Sequence, residues 1–131
     1  MATISRDYAM KLWKKRYGDK KYVRDCFGVW MYVDDYNDLS TKRSRLDNGK
    51  QYNYGWSIDH ILPKAKGGKD NDNNLEIMNA KMNIIKSDNL EITFGNGKFF
   101  VRKIDGKSYY AIFDEKGMKV SKNWFCAKIL A

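Results

Sequence analysis

Apolar side chains recur with a helical period near the start of the chain. Tyr8, Leu12 and, less regularly, Ala9 and Trp13 form a 3.6-residue stripe that predicts a helix over 5–17. Ser5 suits its N-cap and Asp7 its first turn. Lys14, Lys15 and Arg16 complement the carbonyls of the last turn, and Gly18 is a natural stop. Residues 27–33 read as a short strand or buried turn. Residues 37–50 are polar and end on the turn signal Asp47-Asn48-Gly49. A strand ending at Trp56–His60, a second over Asn74–Met78 and a helix over Asn79–Lys86 follow. Beyond residue 88 the period changes to two. Leu90–Phe94, Phe99–Ile104 and Ser108–Phe113, separated by Gly95-Asn96-Gly97 and Asp105-Gly106, predict a β-meander. Ser121 to Leu130 fits a closing helix or a strand. The pattern is that of one α+β domain spanning 1–131.

Composition excludes several classes. Hydrophobic residues at 43% and aromatics at 15% suffice for a core, which argues against intrinsic disorder. The longest apolar run, Val29-Trp30-Met31-Tyr32-Val33, is far short of the ~20 residues of a membrane span. The opening residues contain no apolar stretch of the kind a secretory leader has, so none is expected. Cys26 and Cys126 form no C-x-x-C pair, so two reduced thiols in a cytoplasmic setting are expected.

Charge then narrows the partner. The net +9 is concentrated at the two ends: residues 1–24 carry eight basic and two acidic side chains, and residues 89–131 carry eight and four. Basic arms around a near-neutral middle suit a polyanion, because Lys and Arg on phosphate release counterions. Lys14, Lys15 and Arg16 are the leading phosphate-facing candidates, although a merely solvated helix face accounts for them equally well.

The chemistry-bearing residues lie within 54–88. Asp59-His60-Ile61-Leu62-Pro63 is followed by Gly67-Gly68. Asn74-Leu75 begins fourteen residues after His60, and Asn83-Ile84-Ile85-Lys86-Ser87-Asp88 twenty-three after it. This segment, about 35 of the 131 residues, resembles the motif of the HNH endonucleases, whose fold is a ββα-metal core, including the HNH domain of RNA-guided CRISPR nucleases. The resemblance implies an HNH nuclease core with an N-terminal basic helix and a C-terminal β-meander of about 89–131. The paired C-x-x-C knuckles of many small HNH proteins are absent. The aromatic flanks, among them Trp13, Trp30, Tyr54 and Trp56, are expected to brace the core instead.

The residues are chemically sensible in that role. Strand alternation puts Asp59 and His60 on opposite faces, and Pro63 ends the strand. His60 is the only histidine, and with a reference pKa of ~6.5 it can take a proton from attacking water at neutral pH. Asp59 and Asn83 offer oxygen ligands and no thiol, which suits one Mg²⁺ or Mn²⁺. Asn74 is expected to order the loop and orient His60, Asn79 to cap the helix, and Lys86 to contact phosphate. Lys64, Lys66 and Lys69 make the intervening loop basic. The expected activity is metal-dependent hydrolysis of DNA, most simply double-stranded, with no membrane partner. Two alternatives stand beside it: a nucleic-acid-binding protein with a silent HNH fold, and a toxin nuclease with an immunity partner.

Overall fold

The computed structural model describes residues 4–44 and 49–123. The chain divides into two compact units, one of residues 1–58 and 77–84, the other of 59–76 and 85–131. The division therefore runs through the motif of residues 54–88, and not after it.

In the first unit, α1 (Arg6–Tyr17) begins where Ser5 Oγ accepts the Tyr8 amide at 3.2 Å. It ends where Gly18, at φ 65°, donates its amide to the Lys14 carbonyl at 2.8 Å. Ala9, Leu12 and Trp13 are its buried face, while Tyr8 stands at the margin with 36% exposure. The stripe is thus rotated from the predicted one, because Trp13 is drawn inward onto Trp56, ring centres 4.8 Å apart.

The antiparallel pair β1 (Tyr22–Arg24) and β2 (Trp30–Tyr32) follows, then the short pair β3 (Lys42–Arg43) and β4 (Tyr52–Asn53). Asp25 closes the first hairpin. Its carboxylate accepts the amides of Phe27, Val29 and Asn79 at 2.9, 2.9 and 3.0 Å. Arg43 binds Asp35 through two 2.9 Å hydrogen bonds and lies over the Tyr32 ring. Trp13, Met31, Tyr54, Trp56, Ile77 and Met78 are buried here. Trp30, half-buried, stacks under Arg24. Three of the four expected bracing aromatics are therefore core residues.

β5 (Trp56–His60) pairs with β6 (Leu75–Asn79), and α2 (Ala80–Lys86) follows directly. In the second unit, β7 (Glu91–Phe94), β8 (Gly97–Lys103) and β9 (Tyr110–Asp114) form an antiparallel meander. Thr93 opposes Lys98 and Arg102 opposes Ala111. Ile92, Val101 and Ile112 share one face of the meander by period-two alternation and are buried there, Ala111 is buried on the opposite face, and Ile61 and Leu75 are fully buried in the same unit. Mixed helix and small antiparallel sheets make the chain α+β.

Of the predicted closing element, residues 121–123 are irregular and the rest lies outside the described residues, as do Asp47, Asn48 and Cys126. Among the described residues no helix is long and apolar enough to cross a membrane.

Candidate functional site

The second unit brings together Asp59, His60, Asn74 and Lys86, and adds Asp70. Alternation along the end of β5 turns Asp59 inward, 4% exposed, and leaves the His60 side chain 18% exposed. Asp59 is met by Lys86, whose Nζ is fully buried. Nζ sits 3.1 Å from Asp59 Oδ2 and 3.3 Å from Oδ1, and donates to the His60 carbonyl at 3.1 Å. Burial pushes the Asp59 carboxyl up to about 7; the Lys86 charge opposes this and the Asp88 charge adds to it.

Lys86 therefore departs from the expected phosphate contact. Near the end of a short helix a lysine usually reaches water, but here a buried carboxylate and a strand carbonyl satisfy it inside the unit. It acts as the counter-ion of Asp59 and as a clamp on the backbone of His60.

The His60 imidazole donates Nε2–H to Asp70 Oδ1 at 2.6 Å, and Lys64 Nζ reaches Asp70 Oδ2 at 3.2 Å. The hydrogen bond with His60, then that with Lys64, holds the Asp70 carboxyl below its ordinary range. With the Nε2 proton committed to Asp70, a neutral His60 carries its basic lone pair on Nδ1.

Asp70 escaped the sequence reading because it lies ten residues from His60 in a polar loop. An acidic residue directly after the basic run Lys64, Lys66, Lys69 was the available signal. Lys66 and Lys69 are exposed on that loop.

Asn74 orders the loop as expected. Its Oδ1 accepts the Leu62 amide at 2.9 Å, and its Nδ2 donates to the carbonyls of Leu62 and Lys69 at 3.1 and 3.0 Å. Its side chain hydrogen-bonds Leu62 and Lys69 and not His60 itself, so its influence runs through the backbone two residues on. Gly68 fits beneath this knot only because it lacks a Cβ, which would lie 1.7 Å from the Leu62 oxygen.

Asn79, Asn83 and the first helix lie in the other unit. Asn79 Oδ1 accepts the Lys81 amide at 2.9 Å, the cap that was expected, and its Nδ2 donates to the Trp30 carbonyl at 3.0 Å. Asn83 Nδ2 donates to Ser57 Oγ at 2.7 Å, which leaves Oδ1 without a hydrogen-bond partner among the described residues. Lys14 and Lys15 are exposed on α1, and Arg16 is half-buried.

The donors bear on a cation as follows. Asp59 Oδ2 is buried and has the Lys86 charge beside it but no aligned hydrogen-bond donor. Asn83 Oδ1 is an uncommitted amide oxygen. Both are hard oxygen donors of the kind Mg²⁺ and Mn²⁺ prefer. Among the described residues, no three His, Cys, Asp or Glu side chains cluster as a metal-binding group, so solvent or substrate oxygens would have to complete any coordination. Compared with known proteins, the chain matches no family model, no curated protein and no solved structure.

Proposed function

We propose that this chain is a metal-dependent endonuclease of the HNH kind that hydrolyses DNA phosphodiester bonds, with His60 as general base. One observation carries the reading: the chain's only histidine stands half-open at the end of β5, its Nε2 proton anchored by Asp70. An imidazole fixed in that tautomer is prepared to take a proton on Nδ1.

In the reaction, a water oxygen forms a bond to phosphorus while its proton passes to His60 Nδ1. The P–O3′ bond breaks in line, and the leaving oxygen is protonated from solvent. Asp70 holds the ring and is followed in charge by Lys64, so the imidazolium that forms faces a carboxylate. Lys66 and Lys69 supply positive charge toward the substrate backbone. Asp59 would hold a divalent ion; when bound, that ion neutralises charge developing on the phosphate and the leaving oxygen.

A second reading has its own support. The Lys86 ammonium already neutralises Asp59, as it would in a nucleic-acid-binding protein whose catalytic site is silent. Supercoiled plasmid incubated with the protein in Mg²⁺ or Mn²⁺, and in EDTA, separates the two. Nicked or linear products with metal only support the nuclease. Retarded but intact plasmid in every condition supports the silent binder.

A further inference from the structure

Between the loop of residues 62–74 and the β8–β9 turn, the second unit contains a cleft of about 310 Å³. Small-molecule sites begin at roughly this size, ~300 Å³. A duplex cannot enter it, but a single nucleotide can.

Its walls are held by the backbone. Asn74 pins Leu62 and Lys69 on one side. Fully buried Asn123 ties the sides together, donating to the Asn73 carbonyl at 2.8 Å and the Tyr110 carbonyl at 3.0 Å. Ser121 in turn fixes Asn123, its hydroxyl donating to Asn123 Oδ1 at 2.6 Å.

On this rigid frame the lining side chains are uncommitted. Lys69, Asn71, Asn73, Ser108 and Tyr110 all line the cleft, and none spends its side-chain polar group on a hydrogen bond to another described residue. Lys69, Asn71 and Ser108 are exposed and Asn73 and Tyr110 half-buried, so these groups face solvent and are free to turn to an occupant. A cleft of ligand size on a preorganised backbone, with a few such polar groups to orient what enters it, is the arrangement of a small-molecule site.

We propose that this cleft binds one unpaired nucleotide of the nucleic-acid substrate, next to the bond that is cut. The ligand's identity rests on the nuclease reading. Side-chain amides such as those of Asn71 and Asn73 match the paired donor and acceptor of a base edge. Tyr110 offers an aromatic face for the base and Lys69 a charge for its phosphate. The chain sets the location: Leu62 is two residues past His60, and Lys69 adjoins Asp70. The cleft thus gives a non-sequence-specific backbone binder a means of preferring one base, or of requiring a distorted or single-stranded site.

The test is titration of the full-length, ¹⁵N-labelled chain with each of the four deoxynucleoside 5′-monophosphates and with inorganic phosphate, read by amide chemical shifts. Saturable shifts at Gly67, Gly68, Asn73 and Ser108 with at least one nucleotide, and none with phosphate, are expected. Asn71→Ala with Asn73→Ala should weaken that binding roughly tenfold. Lys69→Ala, a change at an exposed position, should weaken binding of every nucleotide that binds the wild type by a similar factor. Equal response to phosphate and nucleotides, or no saturable response, overturns the proposal. Plasmid cleavage is scored separately. Nucleotide binding by a chain that never cleaves supports the cleft and removes the nuclease reading, whereas cleavage without nucleotide binding removes the cleft alone.

Discussion

Lys86 and Asp59 allow the sharpest structural prediction. Nζ and carboxylate approach to 3.1 Å with the lysine fully buried and the aspartate 4% exposed, so neither charge has water to fall back on. Lys86→Met removes one charge, leaves the other uncompensated and strips the His60 carbonyl of its donor. Breaking a buried pair in this way costs about 3–5 kcal/mol. Replacing both partners, with Asp59→Leu and Lys86→Met together, removes the stranded charge and leaves mainly the lost bond to the His60 carbonyl, a cost of about 1 kcal/mol. The double variant should therefore be more stable than Lys86→Met alone. Urea unfolding of the wild type, both single variants and the double variant at pH 8 closes the cycle. That pH lies above the raised Asp59 value of about 7, so the carboxyl is charged in the wild type. Costs that simply add, or a Lys86→Met variant within ~0.5 kcal/mol of wild type, would refute the buried pair.

Three further outcomes follow from the same geometry. Asn74→Ala releases the Leu62 amide and two carbonyls and should cost about 2–3 kcal/mol by urea unfolding, at ~1 kcal/mol for each hydrogen bond. Asp70→Ala should lower the cleavage rate about 10–100-fold with little change in DNA affinity, because it frees the imidazole without removing it; single-turnover kinetics and a binding isotherm check this. Lys14→Ala with Lys15→Ala should reduce the slope of log affinity against log salt by about 1.8 if both exposed charges sit on duplex phosphate, and an unchanged slope would place the DNA elsewhere.

Local rules carried the reading where local rules decide structure. Ser5 and Gly18 bound α1 because caps act within four residues, and alternation with Gly-centred turns marked the meander to within two residues. Pro63 stands three residues past the end of β5, where the chain enters the helical turn of residues 64–66. Long-range pairing was invisible. Nothing local distinguishes Lys86 from a solvated lysine, because its burial depends on Asp59, 27 residues away. Asp70 was missed since a loop has no period to betray which side chain turns toward the histidine. Glu76 did leave a trace: a carboxylate inside the apolar run Leu75–Met78 demands buried partners, and it accepts the Lys122 amide at 2.7 and 2.8 Å. Asn123 left none, and with it the cleft was out of reach of pattern reading.

The most direct test of the central claim is His60→Ala, assayed in parallel for single-turnover DNA cleavage and for DNA binding in Mg²⁺. Loss of the general base should slow cleavage by ~10²–10⁴-fold. Affinity should hold, because it derives from the Lys and Arg side chains. Cleavage within a few-fold of the wild-type rate would contradict the account.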